Sequence, residues 1–348
     1  MKRVRELDLA RVTAMIFVIV IHVTSTYIHY DSGLTVLGMN LAFLLNQLAR
    51  FAVPLFVMLS GVSLGLGGAY PGAKRFLRRR LVKIGLPYLF WSTVYLLYNC
   101  RLHLGTLRPG DCLRTLLLGQ AAPHLYFIVV MLQLYALYPL LRRWVDRAPC
   151  RSLLASFLIT YTVQKLFYFL EWDVDLIPGV IRPYLWILFP TWLFYFTLGL
   201  LLTEARLADV RALASRNAAA ILLATLVFAG LYAVESGITG SLDSMKVPLD
   251  LYVPLMFLSA FAAWHFIGRF RAVSALTGFL AKHSMTIYFE HVLVLYLLRR
   301  AAWFARGMSG MLVLLLAVTA AACLLAVPLD ALQARLAGRW GSRAPEAS

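Results

Sequence analysis

The chain has 348 residues, 61% of them hydrophobic and only 14% charged, with a formal net charge of +17. Soluble domains carry roughly 25% charged residues, so this chain lacks the polar surface to face water on all sides. The basic excess does not indicate nucleic-acid binding. Its Lys and Arg residues lie in short loops between apolar blocks, where they act as orientation signals and attract anionic headgroups of the lipid bilayer.

The apolar blocks run for roughly 17–25 residues, enough for a helix to cross about 30 Å of hydrocarbon. They show no alternation with a period of two, and in lipid only helices and closed barrels satisfy their own backbone groups. The sequence therefore predicts an all-α, polytopic transmembrane helical bundle. About ten spans are expected, near 8–28, 41–66, 84–100, 124–145, 152–170, 184–203, 217–234, 250–268, 275–298 and 311–333. Residues 1–335 form the membrane domain in this reading, and 336–348 a short cytoplasmic tail. The first block follows a basic start and meets no small-residue cleavage site, so it reads as a retained span.

Charge placement gives the bundle a direction. With the N-terminus inside, Arg3, Arg5 and Arg11, the cluster from Lys74 to Lys83, Arg142, Arg143, Arg206, Arg211 and Arg269 all fall on the cytoplasmic face. That face then holds most of the basic residues, and both termini lie in the cytoplasm. The exception is the stretch from Arg299 to Arg306, which falls outside. A multi-pass protein of the cell membrane, a bacterial inner or plasma membrane, is expected. The four cysteines form no metal-ligand pattern and no metal is expected; Cys100 and Cys112 fall near one outer loop, which would allow a disulfide.

Ionisable residues within spans are costly and mark candidate sites. The first span, LDLARVTAMIFVIVIHVTSTY, carries Arg11 and His22. Eleven residues amount to three turns plus about 20°, so both project from one face, about 16 Å apart along the axis. A cation at the cytoplasmic mouth and an imidazole deep on the same stripe suit an elongated anionic ligand. Spacing alone is equally compatible with an interfacial anchor and a packing histidine. The second span, RFAVPLFVMLSGVSLGL, places Arg50 near its outer end, and Ser60-Gly61 permits close helix approach. The basic run KRFLRRRLVKIGLPYLFW offers Arg78, Arg79 and Arg80 either as topology signals or as a phosphate site. Later, His124 opens a span, and Glu290 and His291 stand side by side in another. Adjacent helical residues diverge by about 100°, so at most one of those two can face a given cavity squarely.

Together these segments resemble the membrane acyltransferase family 3, polytopic enzymes that modify cell-surface glycans. The resemblance rests on Arg11 and His22 with ten residues between them, PLFVMLSG (Pro54 to Gly61), RRRLVKIGLPYLFW (Arg78 to Trp91), HLYFIVVMLQLYALYPLL (His124 to Leu141) and SMTIYFEH (Ser284 to His291), in order along the chain. It implies an O-acyltransferase that takes an acyl group from acetyl-CoA or another acyl-CoA on the cytoplasmic side. The acceptor would be a hydroxyl of a glycan or lipid-linked sugar, and no cofactor would be permanently bound. His22 would be central to transfer, as general base or acyl-imidazole nucleophile. Arg11 and one or more of Arg78, Arg79 and Arg80 would hold the donor, while Arg50, Ser60, His124, Glu290 and His291 would support the site or the acceptor. Glu290 departs from the family pattern, which places an apolar residue there. No esterase-like domain of the kind some members carry is expected after the last span. A transporter or flippase for lipid-linked sugars would share the spans and buried charges, but not the ordered motifs.

Overall fold

The computed structural model describes residues 3–28, 35–36, 39–67, 70–100, 108–170, 182–240, 247–300 and 307–341. Helix α1 (Arg5–Thr24) is followed by a two-residue antiparallel ladder of β1 (Thr35–Val36) and β2 (Met39–Asn40). Helix α2 (Leu41–Leu48) starts where the Asn40 side chain accepts the Ala42 N–H at 2.8 Å. A 3-10 turn at Ala49–Phe51 carries the chain into α3 (Ala52–Gly65). Helices α4 (Ala73–Arg80) and α5 (Leu86–Asn99) are joined by a π turn at Leu81–Gly85. That turn lies where Pro87, which has no N–H, would otherwise donate to the carbonyl of Lys83. Then come α6 (Pro109–Leu118), α7 (Tyr126–Arg147) and α8 (Pro149–Leu170). Beyond two 3-10 turns the chain continues as α9 (Leu193–Leu200), α10 (Glu204–Arg216), α11 (Ala218–Thr239), α12 (Val247–Ile267), α13 (Arg271–Leu298) and α14 (Met308–Gly341).

The fold is an all-α bundle. Among the described residues, seven helices are long and apolar enough to cross a membrane: Arg5–Thr24, Leu41–Gly65, Ala73–Asn99, Tyr126–Arg147, Ala218–Thr239, Pro248–Ile267 and Met308–Leu332. Large apolar side chains such as Leu86, Phe90, Leu226, Leu231, Leu316 and Leu324 stand exposed on the outside of the bundle, as lipid contact requires. The stretches expected as spans at 152–170 and 275–298 are helical, as α8 and α13, but neither is among these seven. The connections are more structured than loops, since α6 and α10 occupy two of them. Cys100 and Cys112 are not joined in a disulfide. Helix α14 continues into the stretch read as a tail, while Arg306 and residues 342–348 lie outside the described residues.

The stretch expected as one span at 184–203 is broken. It consists of 3-10 turns at Arg182–Ile187 and Phe189–Trp192, then the eight residues of α9. Pro183 and Pro190 each remove a backbone donor, and side chains of neighbouring helices bond the backbone around Pro190. Gln133 of α7 donates to the Ile187 carbonyl at 2.8 Å and accepts the Phe189 N–H at 3.0 Å. Thr160 of α8 donates to the Pro190 carbonyl at 2.8 Å and accepts the Phe194 N–H at 3.1 Å.

Helix α1 runs through the interior, packed against α3, α12, α13 and α14. Its beginning is fixed by ion pairs and backbone contacts. Glu6 receives Arg211 of α10 through two bonds of 2.5 and 3.1 Å, and Asp8 receives Arg3 at 2.5 Å. Arg3 and Arg5 also donate to the Gly278 and Ser274 carbonyls, so α1 and α13 begin at the same end of the bundle. Helix α14 returns antiparallel to α13, with Asp330 bonded to His283 and Thr286.

A close backbone approach joins α3 to α9. A Cβ on Gly61 would lie 2.3 Å from the Phe196 carbonyl oxygen, and one on Gly199 2.1 Å from that of Met58. Both obstacles are backbone, so neither can rotate aside. Gly199→Ala is expected to lower the unfolding temperature of the detergent-purified protein, with an overpacking cost of about 1–3 kcal/mol or more. Gly230→Ala, whose Cβ meets nothing within 4 Å, should be neutral or slightly stabilising in the same thermal scan.

Candidate active site

The last turn of α1 brings His22 to two other imidazoles. Its ring centroid lies 5.3 Å from that of His291 on α13 and 5.9 Å from that of His124, in the turn before α7. His124 and His291 are themselves 4.9 Å apart. Both are almost fully buried, at 2% and 1% exposure. His22 is half-buried and lines a cavity of about 520 Å³ together with His124, Arg50, Tyr288, Tyr296 and Arg299.

Hydrogen bonding assigns the tautomers of the two buried rings. Nδ1 of His291 sits 2.8 Å from the Tyr288 carbonyl oxygen and 3.1 Å from that of Ile287. A carbonyl only accepts, so Nδ1 carries the proton and Nε2 is a bare acceptor. His124 is arranged the other way round: its Nε2 faces the Phe289 carbonyl at 3.3 Å, which leaves Nδ1 bare. Among the described residues neither bare nitrogen has a hydrogen-bond partner. Two lone pairs therefore stand in the cluster that His22 completes.

Tyrosines brace the backbone beneath these rings. The Tyr95 hydroxyl of α5 donates to the Phe289 carbonyl at 2.8 Å and accepts the Leu293 N–H at 3.0 Å. Phe289 and Leu293 are an i, i+4 pair, so the hydroxyl is inserted into the hydrogen-bond ladder of α13 beside His291. Tyr288 donates in turn to the His124 carbonyl. On the cavity's other wall, Asn46 of α2 accepts Arg50 Nε and Nη2 at 3.1 and 2.7 Å. The Asn46 amide nitrogen reaches the Ile21 carbonyl, Thr24 Oγ1 and Ser25 Oγ at 2.9–3.0 Å. Asn46 thus ties the end of α1 to Arg50, which lies within electrostatic range of His22.

A second polar group forms toward the beginning of α1. Arg11 pairs with Asp8 at 3.7 Å and interacts with Tyr135 of α7. Arg80 stacks on the same tyrosine, its guanidinium carbon 4.9 Å from the Tyr135 centroid and 5.2 Å from that of Phe76. Ser60 also contacts Tyr135. Arg11, Arg80 and Ser60 therefore meet around one ring, whereas Arg78 and Arg79 are exposed. Glu290 joins neither group. It is buried at 1% exposure, interacts with Asp330 and Cys323 of α14, and has no hydrogen-bond partner for either carboxyl oxygen among the described residues.

Asn46 and Tyr95 carry no sequence signal of their own, since each acts through a tertiary contact between apolar helices, and Tyr135 and Tyr288 lie within family-like segments that do not single them out. Tyr95→Phe removes the inserted hydroxyl and leaves the Leu293 N–H without that acceptor. It is expected to cost about 1–3 kcal/mol of stability, read as a lower unfolding temperature with unchanged helical circular dichroism.

Two surroundings are thus linked by α1: a guanidinium and tyrosine cluster near its start, and three imidazoles beside a cavity near its end. Neither the curated proteins nor the solved structures contain a match to this chain. The family model described as an acyltransferase domain matches residues 4–330, which includes every residue of both clusters. The chain belongs to the membrane acyltransferase family 3 and is a membrane acyltransferase.

Proposed function

We propose that this membrane acyltransferase moves an acyl group, acetyl first among the candidates, from a cytoplasmic acyl-CoA to a hydroxyl of a cell-surface or lipid-linked carbohydrate. The observation that carries the reading is the position of His22, which lines a cavity and adjoins two imidazoles whose tautomers are set by the backbone. Arg11 and Arg80, meeting at Tyr135, supply guanidinium groups suited to the phosphates of CoA. From Arg11 to His22 is about 16 Å along the helix, a distance for the extended pantetheine arm to cover.

At the transfer point the acceptor hydroxyl oxygen attacks the thioester carbonyl carbon while His22 takes the hydroxyl proton. The carbon–sulfur bond then breaks, and the thiolate leaves with a proton returned from the imidazolium. Bare nitrogens on His124 and His291 can share the proton that His22 gains, much as a third group supports the base in hydrolytic triads. That arrangement favours base catalysis over an acyl-imidazole. Arg50, held by Asn46 and lining the same cavity, would stabilise the developing oxyanion.

His22→Ala is expected to reduce acyl transfer by about 10²–10⁴-fold or more while leaving the protein inserted and monodisperse. Transfer of labelled acetyl groups to membrane glycans measures this, and retained transfer would remove His22 from the role. Arg11→Ala should raise the KM for acetyl-CoA more than it lowers kcat. Unchanged binding of labelled acetyl-CoA to the purified variant would place the phosphates elsewhere.

A further inference from the structure

Arg299 and Arg300 are the described part of the basic stretch that runs against the positive-inside bias, and topology gives no reason for them. They stand exposed at the end of α13, and no carboxylate pairs with either among the described residues. Arg299 and Tyr296 line the histidine cavity. The same two residues also line a shallower groove of about 380 Å³, completed by Tyr98, Asn99 and Arg300. The two spaces therefore share a wall, and a ligand in the groove can extend toward His22. No Asp or Glu lines either space.

The walls of the groove are already ordered. The rings of Tyr98 and Tyr296 stack at 5.7 Å with only 15° between their planes. The Arg300 guanidinium carbon lies 5.0 Å from the Tyr98 centroid, and Asn99 is tied to the Ala121 carbonyl at 2.9 Å. Two permanent cations beside stacked aromatic rings suit a ligand with flat apolar faces and an anionic substituent. Guanidinium matches carboxylate and phosphate oxygens through paired N–H donors.

We propose that this groove binds an anionic group of the acyl acceptor, a carboxylate or phosphate on or next to the sugar whose hydroxyl reaches His22. The proposal rests on the acceptor side of the acyltransferase reading and narrows it to acidic acceptors. The carboxylate of an acidic sugar and the phosphate of a lipid carrier share this chemistry.

The test uses the full chain in detergent and fluorescence polarisation at low salt. Labelled tetragalacturonate is compared with labelled maltotetraose, and labelled farnesyl diphosphate with labelled farnesol. At least one anionic probe should bind about tenfold more tightly than its neutral counterpart, a difference of about 1.4 kcal/mol. The preference should vanish in R299Q/R300Q, persist in R299K/R300K, and weaken with added salt. Preference for tetragalacturonate identifies a sugar carboxylate, and preference for farnesyl diphosphate a carrier phosphate. Equal binding of charged and neutral probes, or a preference unchanged in R299Q/R300Q, overturns the proposal. Release of CoA from acetyl-CoA is followed separately. An anionic preference without CoA release with any acceptor would overturn acyl transfer while leaving the groove assignment standing.

Discussion

Lipid offers no water to satisfy polar groups, so three imidazoles can sit inside this bundle only if the protein supplies their partners. One turn of α13 does most of that. The carbonyls of Ile287 and Tyr288 take the Nδ1 proton of His291, and the Phe289 carbonyl faces both His124 and Tyr95. Each bond orients a ring and consumes a donor, leaving acceptor lone pairs in the cluster. The same contacts that accommodate the two buried histidines thereby set which of their ring nitrogens stay bare. Tyr95 completes the arrangement by re-pairing the ladder at the point where these contacts crowd it.

Helix α1 links this local order to the second polar cluster, around Arg11 and Tyr135. Its first turns are locked to α10 and α13 through Glu6, Asp8, Arg3 and Arg5, and its last turn is locked to α2 through Asn46. Between these ties the helix can neither slide nor rotate without breaking charge-assisted bonds. The helix itself fixes the separation between Arg11 and His22, and these ties fix where both stand in the bundle. A donor bridging the two ends would meet a ruler rather than a flexible tether.

Much of this was legible in the sequence because membrane spans penalise polar residues and so expose them. Arg11, His22, Arg50, His124 and His291 stand out on that ground, and Gly61 as a small residue permitting close approach. The 100° argument holds that Glu290 and His291 cannot both face one cavity. The structure sends His291 to the cluster and Glu290 toward α14, a choice that needs the neighbouring helices. Nor does the basic run reveal which arginine turns inward, because packing of Arg80 on Phe76 and Tyr135 decides that. Hydropathy alone reads 184–203 as a span, since it counts apolar side chains and is blind to backbone donors lost at Pro183 and Pro190. Asn46 and Tyr95 look ordinary for a parallel reason: their partners lie far along the chain or on another helix.

The broken segment from Arg182 to Trp192 also bears on how the chain enters its membrane. Its unpaired backbone groups would be costly if it met lipid alone. The side chains that relieve it, Gln133 and Thr160, belong to α7 and α8, which leave the ribosome earlier. Translation order thus delivers the repair before the damage. A circular permutation placing 182–192 ahead of α7 would reverse that sequence and present the insertion machinery with a segment that has nothing to lean on.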